Sequence, residues 1–449
     1  MLTLLLVPAL WACEPSLSPN KVVIQQPEEA AQEPEAPGQP SAVQPEEGDD
    51  SSPYRFLSED AAKSFSDAEK KTVAAMNNFS FNFAREIFKA ESKKAIETEQ
   101  TLQGMIASPL SMAFLLGMES NAVEDECKSQ IARVLGFDEE QEDAMNLFFR
   151  DFIVLGTGGN SEKGTLEIAN AVFCESSTPV YDSYHERVKN YFDADVVTFD
   201  PLKASGGKLV NEWVNEKTHG MIPSIMNDDR TFVSLIINAL YFKAQWAIPF
   251  DKEYTRKQPF YNAEGKEKEV DMMALSLLME TFRFYECDDF KMLTLPYQSK
   301  GSMSFLLPRE DLSVAELFDI LDADTWKRAW ESSEGKHVHI RLPKFDVETG
   351  KGECRNEQLR SLGIKSLFSS KMPKFWKFGH VNHEIYQIAN LSLDENGTEA
   401  AAVSYDEMDG APLEEPEFVE FNANRPFVFI ISENVTGALM FIGCFLSPA

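Results

Sequence analysis

Apolar residues first become periodic where Met76, Phe79, Phe83 and Ile87 fall at helical spacing, one face of a predicted helix. A second helix is predicted from Ser108-Pro109. The serine supplies a capping hydroxyl, the proline suits the first turn, and Met112, Phe114, Leu115 and Leu116 make the segment largely apolar. Further helical periods run over 123–135, stopped by Gly136, and over 142–155, 184–192 and 208–219. Strand patterns then take over. Segments 166–173, 232–242, 282–285, 291–295 and 302–307 are rich in β-branched and aromatic residues and are bounded by turn formers. A helix near 314–321, a strand over 338–342 and a closing pair at 427–432 and 439–446 complete the pattern. Helices gather early and strands late, so the class is α+β with mostly antiparallel sheets.

Residues 1–12, MLTLLLVPALWA, form an apolar run too short to span a bilayer and read as an export signal. Leu10, Trp11, Ala12 and Cys13 resemble a bacterial lipoprotein cleavage box, in which Cys13 would carry the lipid. No Lys or Arg precedes Lys21. Residues 13–68 are rich in Pro, Glu, Gln and Ser with no apolar period, so they are expected to be a disordered linker. The folded domain is expected over 69–449. The chain's 43% apolar content and 33 Phe suit a sizeable core.

A formal charge of -31 repels phosphate backbones and anionic lipid surfaces, which argues against nucleic acid and leaves membrane contact to Cys13. A basic partner protein fits better. The six cysteines, Cys13, Cys127, Cys174, Cys287, Cys354 and Cys444, show no C-x-x-C spacing and read as free thiols rather than a zinc set. No cofactor or metal is expected.

Enzyme signatures are missing from the sequence. There is no HExxH, no GxSxG elbow and no GxxxxGK loop, and Gly156-Thr157-Gly158-Gly159 reads as a surface turn. His337 and His339 alternate on a strand and read as a solvated or locally hydrogen-bonded pair. Sequons stand at Asn78, Asn390, Asn396 and Asn434.

The least core-like segment runs from Asp394 to Ser404, DENGTEAAAVS, and leads into an acidic, proline-containing stretch. Thr398, Ala400, Ala402 and Ser404 are small and would share one face of an extended chain. Such a segment can lie exposed as a loop or enter a packed sheet with little demand for space.

Four motifs in order resemble the serpin family: the helix-like 211–222, NEWVNEKTHGMI; the strand-like 238–250, NALYFKAQWAIPF; the small-residue segment; and the closing 426–448, which begins PFVFII. The resemblance covers nearly all of residues 70–449. It implies a large central, mostly antiparallel sheet, about eight to nine helices and an exposed reactive loop. It also implies a monomeric protease inhibitor, not an enzyme. A serine or cysteine protease would cut the loop and form an acyl-enzyme, and the freed hinge would insert into the central sheet, releasing strain stored in the uncut fold.

Residue by residue, the resemblance makes Glu395, Gly397, Thr398, Glu399, Ala400, Ala401, Ala402 and Ser404 the hinge. Lys344 becomes the ionic partner of Glu395, and Trp246 marks the top of the sheet. Ser108, Ser111 and Asn238 become the polar cluster where strands part, with Gln387 where the family often has histidine. Asp406 continues the inward alternation, a poor fit to burial. Family spacing puts the cut after Ala411, but Pro412 follows. Gly410-Ala411, Leu413-Glu414 and Met408-Asp409 are the alternatives, and they imply an elastase-like or chymotrypsin-like target.

Overall fold

Two strands near the carboxyl end, β15 (Phe427–Glu433) and β16 (Leu439–Phe445), are buried at every position, and the fold is assembled around them. A computed structural model describes residues 67–123, 125–137, 142–157, 164–220, 222–299, 301–350, 354–368, 385–398, 416–434 and 436–448. The chain divides into two units, Met1–Asp50 and Ser51–Ala449. The first unit, with the expected signal segment, Cys13 and most of the linker, lies outside the described residues.

Among the described residues there are nine α-helices and two sheets. Helix α1 (Asp67–Glu97) buries Met76, Phe79, Phe83 and Ile87 as its spacing predicts. It starts two residues before the expected domain boundary. Helix α2 (Pro109–Ser120) is buried on every side, which matches its lack of a polar face. Its Ser108 cap accepts from Ser111 N at 3.4 Å. Helix α3 (Asp125–Leu135) stops before Gly136, whose φ of +81° ends the helical run. Phe114 of α2 packs against Phe149 and Phe152 of α4 (Glu142–Thr157) and Phe192 of α5 (Asp182–Phe192). Fully burying each such ring is worth about 1.5–3 kcal/mol.

The larger sheet has the order β1 (Gly104–Ala107), β16, β15, β9 (Gly301–Pro308), β8 (Phe290–Pro296), β7 (Phe282–Glu286), β10 (Glu334–Pro343), β6 (Glu267–Leu275), β5 (Arg256–Tyr261). Strand β14 (Phe418–Asn422) joins it by pairing parallel to β10. The smaller sheet has the order β11 (Phe345–Thr349), β12 (Ala389–Asp394), β13 (Gly397–Thr398), β4 (Ser234–Gln245), β2 (Gly164–Glu175), β3 (Asp195–Phe199). Helix α6 (Gly206–Lys217) lies across it, and Trp213 Nε1 donates to Asp195 Oδ2 at 3.0 Å. A separate apolar cluster, including Phe173, Val210, Val214 and Ile237, fills the space between helix and sheet.

Helix α7 (Val314–Ile320) falls where its period predicts and opens on a capping box between Ser313 and Glu316. Other elements were not anticipated. Strands β5 and β6 are mostly polar and half exposed, so their apolar positions are too sparse to show a period. Strand β13 has only two residues, too few for any periodicity. Helix α8 (Ala323–Glu331) begins at an Asp322 cap, whose carboxylate accepts from Thr325 N at 2.7 Å, and the short α9 (Asn356–Leu362) ends at Gly363 in the left-handed region. No helix among the described residues is long and apolar enough to cross a membrane.

Candidate functional site

Strand β13 is wedged between β12 and β4. Its pairing is antiparallel to both: Gly397 faces Asp394 and Gln245, and Thr398 faces Leu393 and Ala244. The chain therefore turns back through Glu395 and Asn396 and starts downward as a new strand in the middle of the sheet.

Each residue of that turn is fixed by identifiable contacts. Glu395 is 3% exposed, and its two carboxylate oxygens accept from Lys344 Nζ and Thr255 Oγ1, each at 2.8 Å. Its carbonyl accepts from Phe250 N at 2.8 Å. Burial pushes the Glu395 carboxyl upward, but the Lys344 ammonium, a backbone hydrogen bond and the Thr255 hydroxyl together hold it below the usual value. Lys344 is shifted the other way. Burial lowers it, and the Glu395 carboxylate more than restores the charged form.

Trp246 clamps the turn from the β4 side. Its backbone N–H donates to Asn396 O at 2.8 Å, and its indole Nε1 donates to Asp394 O at 3.1 Å. Tyr297 stacks on the indole with centroids 4.5 Å apart and 3° between planes. The Tyr297 hydroxyl lies 2.7 Å from Thr398 Oγ1, and burial raises its pKa well above the ordinary phenol value. Gly397 has φ +141°, and a Cβ there would run into Ala244 O and Gln245 Cα.

Among the described residues no hydrogen-bonded pairing joins β12 directly to β4. Between them lies a cleft with a cavity volume of about 40 Å3, walled by β4 from Ile237 to Phe242 and by the chain from Tyr386 to Leu391, with Val214 of α6 lining it. Its floor includes Ser108 and Ser111.

The expected polar cluster divides into two parts. On one side Gln387 Nε2 donates to Ser108 O at 2.6 Å, and Ser108 N–H donates to Gln387 Oε1 at 3.2 Å. Ser108 Oγ donates to Met440 O at 3.1 Å. On the other side Asn238 Nδ2 donates to Asn170 Oδ1 at 2.7 Å, and Asn170 Nδ2 donates to Phe192 O at 2.6 Å. Among the described residues, Asn238 Oδ1 is buried without a hydrogen-bond partner. A buried amide oxygen left in that state costs free energy that an incoming donor would recover.

Asn170, Thr255 and Tyr297 are site residues that sequence reasoning missed. Asn170, inside the LEIANAVF run of β2, was the most legible: a polar amide on a core-facing strand position needs a partner. The expected hinge residues Glu399, Ala400, Ala401, Ala402 and Ser404 lie outside the described residues. So do Asp406, Met408, Gly410, Ala411, Pro412 and Leu413. At the other foot of that segment Phe418 stacks on the His339 ring at 4.2 Å, and His339 Nδ1 lies 2.6 Å from Ser276 Oγ. Cys127, Cys174, Cys287, Cys354 and Cys444 are free thiols, and burial pushes Cys127 and Cys444 up to about 12.

The family model described as Serpin (serine protease inhibitor) matches residues 74–448. Leukocyte elastase inhibitor of Xenopus laevis is 28% identical over 372 residues, 79% of this chain and 96% of that protein. Among solved structures, the thermophilic serpin Tengpin in its native state superposes with a TM-score of 0.73 at 25% identity, covering 86% of this chain and 95% of Tengpin. A thyroxine-binding globulin complex with thyroxine gives a TM-score of 0.71 at 22% identity, over 84% of this chain and 100% of the globulin.

Proposed function

Because the chain belongs to the serpin family, we propose that it is a protease inhibitor that works once, trapping its target when the cut loop inserts between β12 and β4. The observation that carries this reading is the cleft below the start of β13: Gly397 and Thr398 are paired on both sides, and below them no described residue of β12 pairs with β4. Insertion from that point extends an existing ladder. It needs no new nucleus, so it can compete with hydrolysis of an acyl-enzyme.

Small side chains from Ala400 to Ser404 suit a strand that must enter a packed sheet. The target we favour is a serine protease with an elastase-like or chymotrypsin-like pocket, cutting near Met408, Gly410, Ala411 or Leu413. The Xenopus relative is named as an elastase inhibitor, which agrees with small residues at the cut. We read residues 1–12 as an export signal and Cys13 as a lipid-bearing residue, which would place the inhibitor outside the cytoplasm.

A second reading has a specific observation behind it. Asp406 would follow Ser404 into the sheet, and a fold of this kind also serves thyroxine-binding globulin, whose structure holds thyroxine. Under that reading the cut loop stays out and the protein binds without trapping.

The deciding experiment incubates the full chain with a panel of serine proteases and resolves the products by denaturing electrophoresis. A trap gives a covalent band at the summed mass less the fragment carboxyl-terminal to the cut, and loses its native band. Cleavage in the 405–415 segment with no such band, and no rise in thermal midpoint after cleavage, would sink the trapping mechanism and favour the carrier reading.

A further inference from the structure

Asn396 is followed by Gly397, and this is the one Asn-Gly pair in the chain. In such a pair the glycine has no Cβ to shield its nitrogen or restrict its backbone, so that nitrogen can reach the preceding carboxamide carbon. A bond forms from Gly397 N to Asn396 Cγ, the Cγ–Nδ2 bond breaks, and ammonia leaves with the proton given up by Gly397 N. Water then opens the cyclic imide at either carbonyl. The product is aspartate or, with the main chain rerouted through the side chain, isoaspartate.

The docked turn opposes every part of that motion. Asn396 is 7% exposed. Its N–H donates to Asp394 Oδ1 at 2.8 Å, its Nδ2 donates to Asp394 Oδ2 at 3.3 Å, and its carbonyl is held by Trp246. Gly397 is locked in ladders on both sides and has no room beside Ala244 and Gln245. The nitrogen cannot swing onto the carboxamide until the turn opens.

The product would not fit back. Deamidation replaces the Nδ2 donor, 3.3 Å from Asp394 Oδ2, with a carboxylate oxygen, and turns an attraction into a like-charge contact next to a third carboxylate, Glu395. Isoaspartate also adds a main-chain carbon inside a turn whose two ends, Asp394 and Gly397, are directly paired.

We propose that Asn396 is a deamidation site concealed by the docked hinge, and that its conversion is a one-way chemical switch that keeps the hinge from docking again. Concealment requires the docked turn alone. A chain that traps no protease would still show it, so the two ideas fail separately.

The test ages the full-length chain at neutral pH and measures isoaspartate and aspartate at residue 396 by peptide mapping. The native chain is compared with the denatured chain and with Lys344→Ala, which loosens the turn. Protection follows the free energy of local opening, so the native chain should convert more slowly than the denatured one by about tenfold or more. Lys344→Ala should fall between them. The converted fraction of the aged wild-type chain, separated by charge, should exchange the Gly397 and Thr398 amide hydrogens faster than the unconverted fraction, and Asn396→Asp should behave similarly. Equal conversion in native and denatured chains would overturn the concealment. Unchanged exchange in the converted fraction would overturn the switch. Using aged wild-type protein keeps the second arm decisive even if the variant folds poorly.

Discussion

Lys344 Nζ lies 2.8 Å from Glu395 Oε2, and the pair is unequal: the carboxylate side chain is 4% exposed and the lysine 37%. The lysine is the half that solvent can replace. Removing it strands a buried carboxylate that keeps only Thr255 and backbone partners. Breaking a fully buried pair costs about 3–5 kcal/mol. Solvent screening at the exposed lysine reduces that, and Lys344→Ala should destabilise the uncut chain by about 1–2 kcal/mol. Chemical denaturation of the intact protein checks it, and a change within error would mean that Lys344 does not anchor the turn.

The same pair sets an acid limit. The Glu395 pKa is lowered in the folded chain, so its stabilising share is fully present above the unfolded value of about 4.3 and is lost as pH falls through the folded value. Lys344 is raised, so its share is present below about 10.4 and is lost only above that, as pH rises through its folded value. Wild type should therefore lose stability between about pH 4 and more acid conditions at a slope that Glu395→Gln reduces. Parallel stability profiles for the two proteins across that window would show that another carboxylate dominates.

Gly397 should tolerate no side chain. At φ +141°, with Ala244 O and Gln245 Cα against the Cβ position, Gly397→Ala must either strain the backbone or leave the sheet. The expected outcome is an undocked turn. Faster hydrogen exchange at Thr398 should accompany it, with a loss of about 1–3 kcal/mol of stability from the strain. Exchange at Thr398 as slow as in wild type would mean that the ladder absorbs the methyl group.

How much of this could be read from the chain follows from how local each signal is. The α2 cap at Ser108-Pro109 and the apolar face of α1 are legible because neighbours a turn apart encode them. The Glu395 to Lys344 pairing was reachable only through family resemblance, since 51 residues separate the two and nothing near either names the other. Tyr297 shows the limit. It follows Pro296 at the end of β8 like any strand-terminal aromatic, and its role as stacking partner of Trp246 and hydroxyl partner of Thr398 exists only after three separate strands meet. The split of Ser108 with Gln387 from Asn238 with Asn170 was likewise invisible, because helix α2 and strand β2 supply the deciding partners.

Depth of insertion follows from the register already present. Gly397 opposite Gln245 and Thr398 opposite Ala244 fix the ladder on one side, and Thr398 opposite Leu393 fixes it on the other. Continued downward, the same register would bring Ala400 between Phe242 and Leu391, and Ala402 between Leu240 and Ala389. Ser404 would arrive between Asn238 and Gln387, where Asn238 Oδ1 has no partner among the described residues and a hydroxyl can donate to it. Two residues further, Asp406 would arrive between Ile236 and Ile385, both buried and apolar. The first step gains a hydrogen bond worth about 1 kcal/mol, and the second buries a carboxylate at a cost of several kcal/mol. Insertion should therefore run easily to Ser404 and stall at Asp406. After the loop is cut, Asp406→Leu should raise the thermal midpoint above that of cut wild type by several degrees, while Ser404→Ala should lower it by about 1 °C. Equal midpoints for cut wild type and cut Asp406→Leu would mean that the carboxylate is accommodated or never enters, and the stall would have to be abandoned.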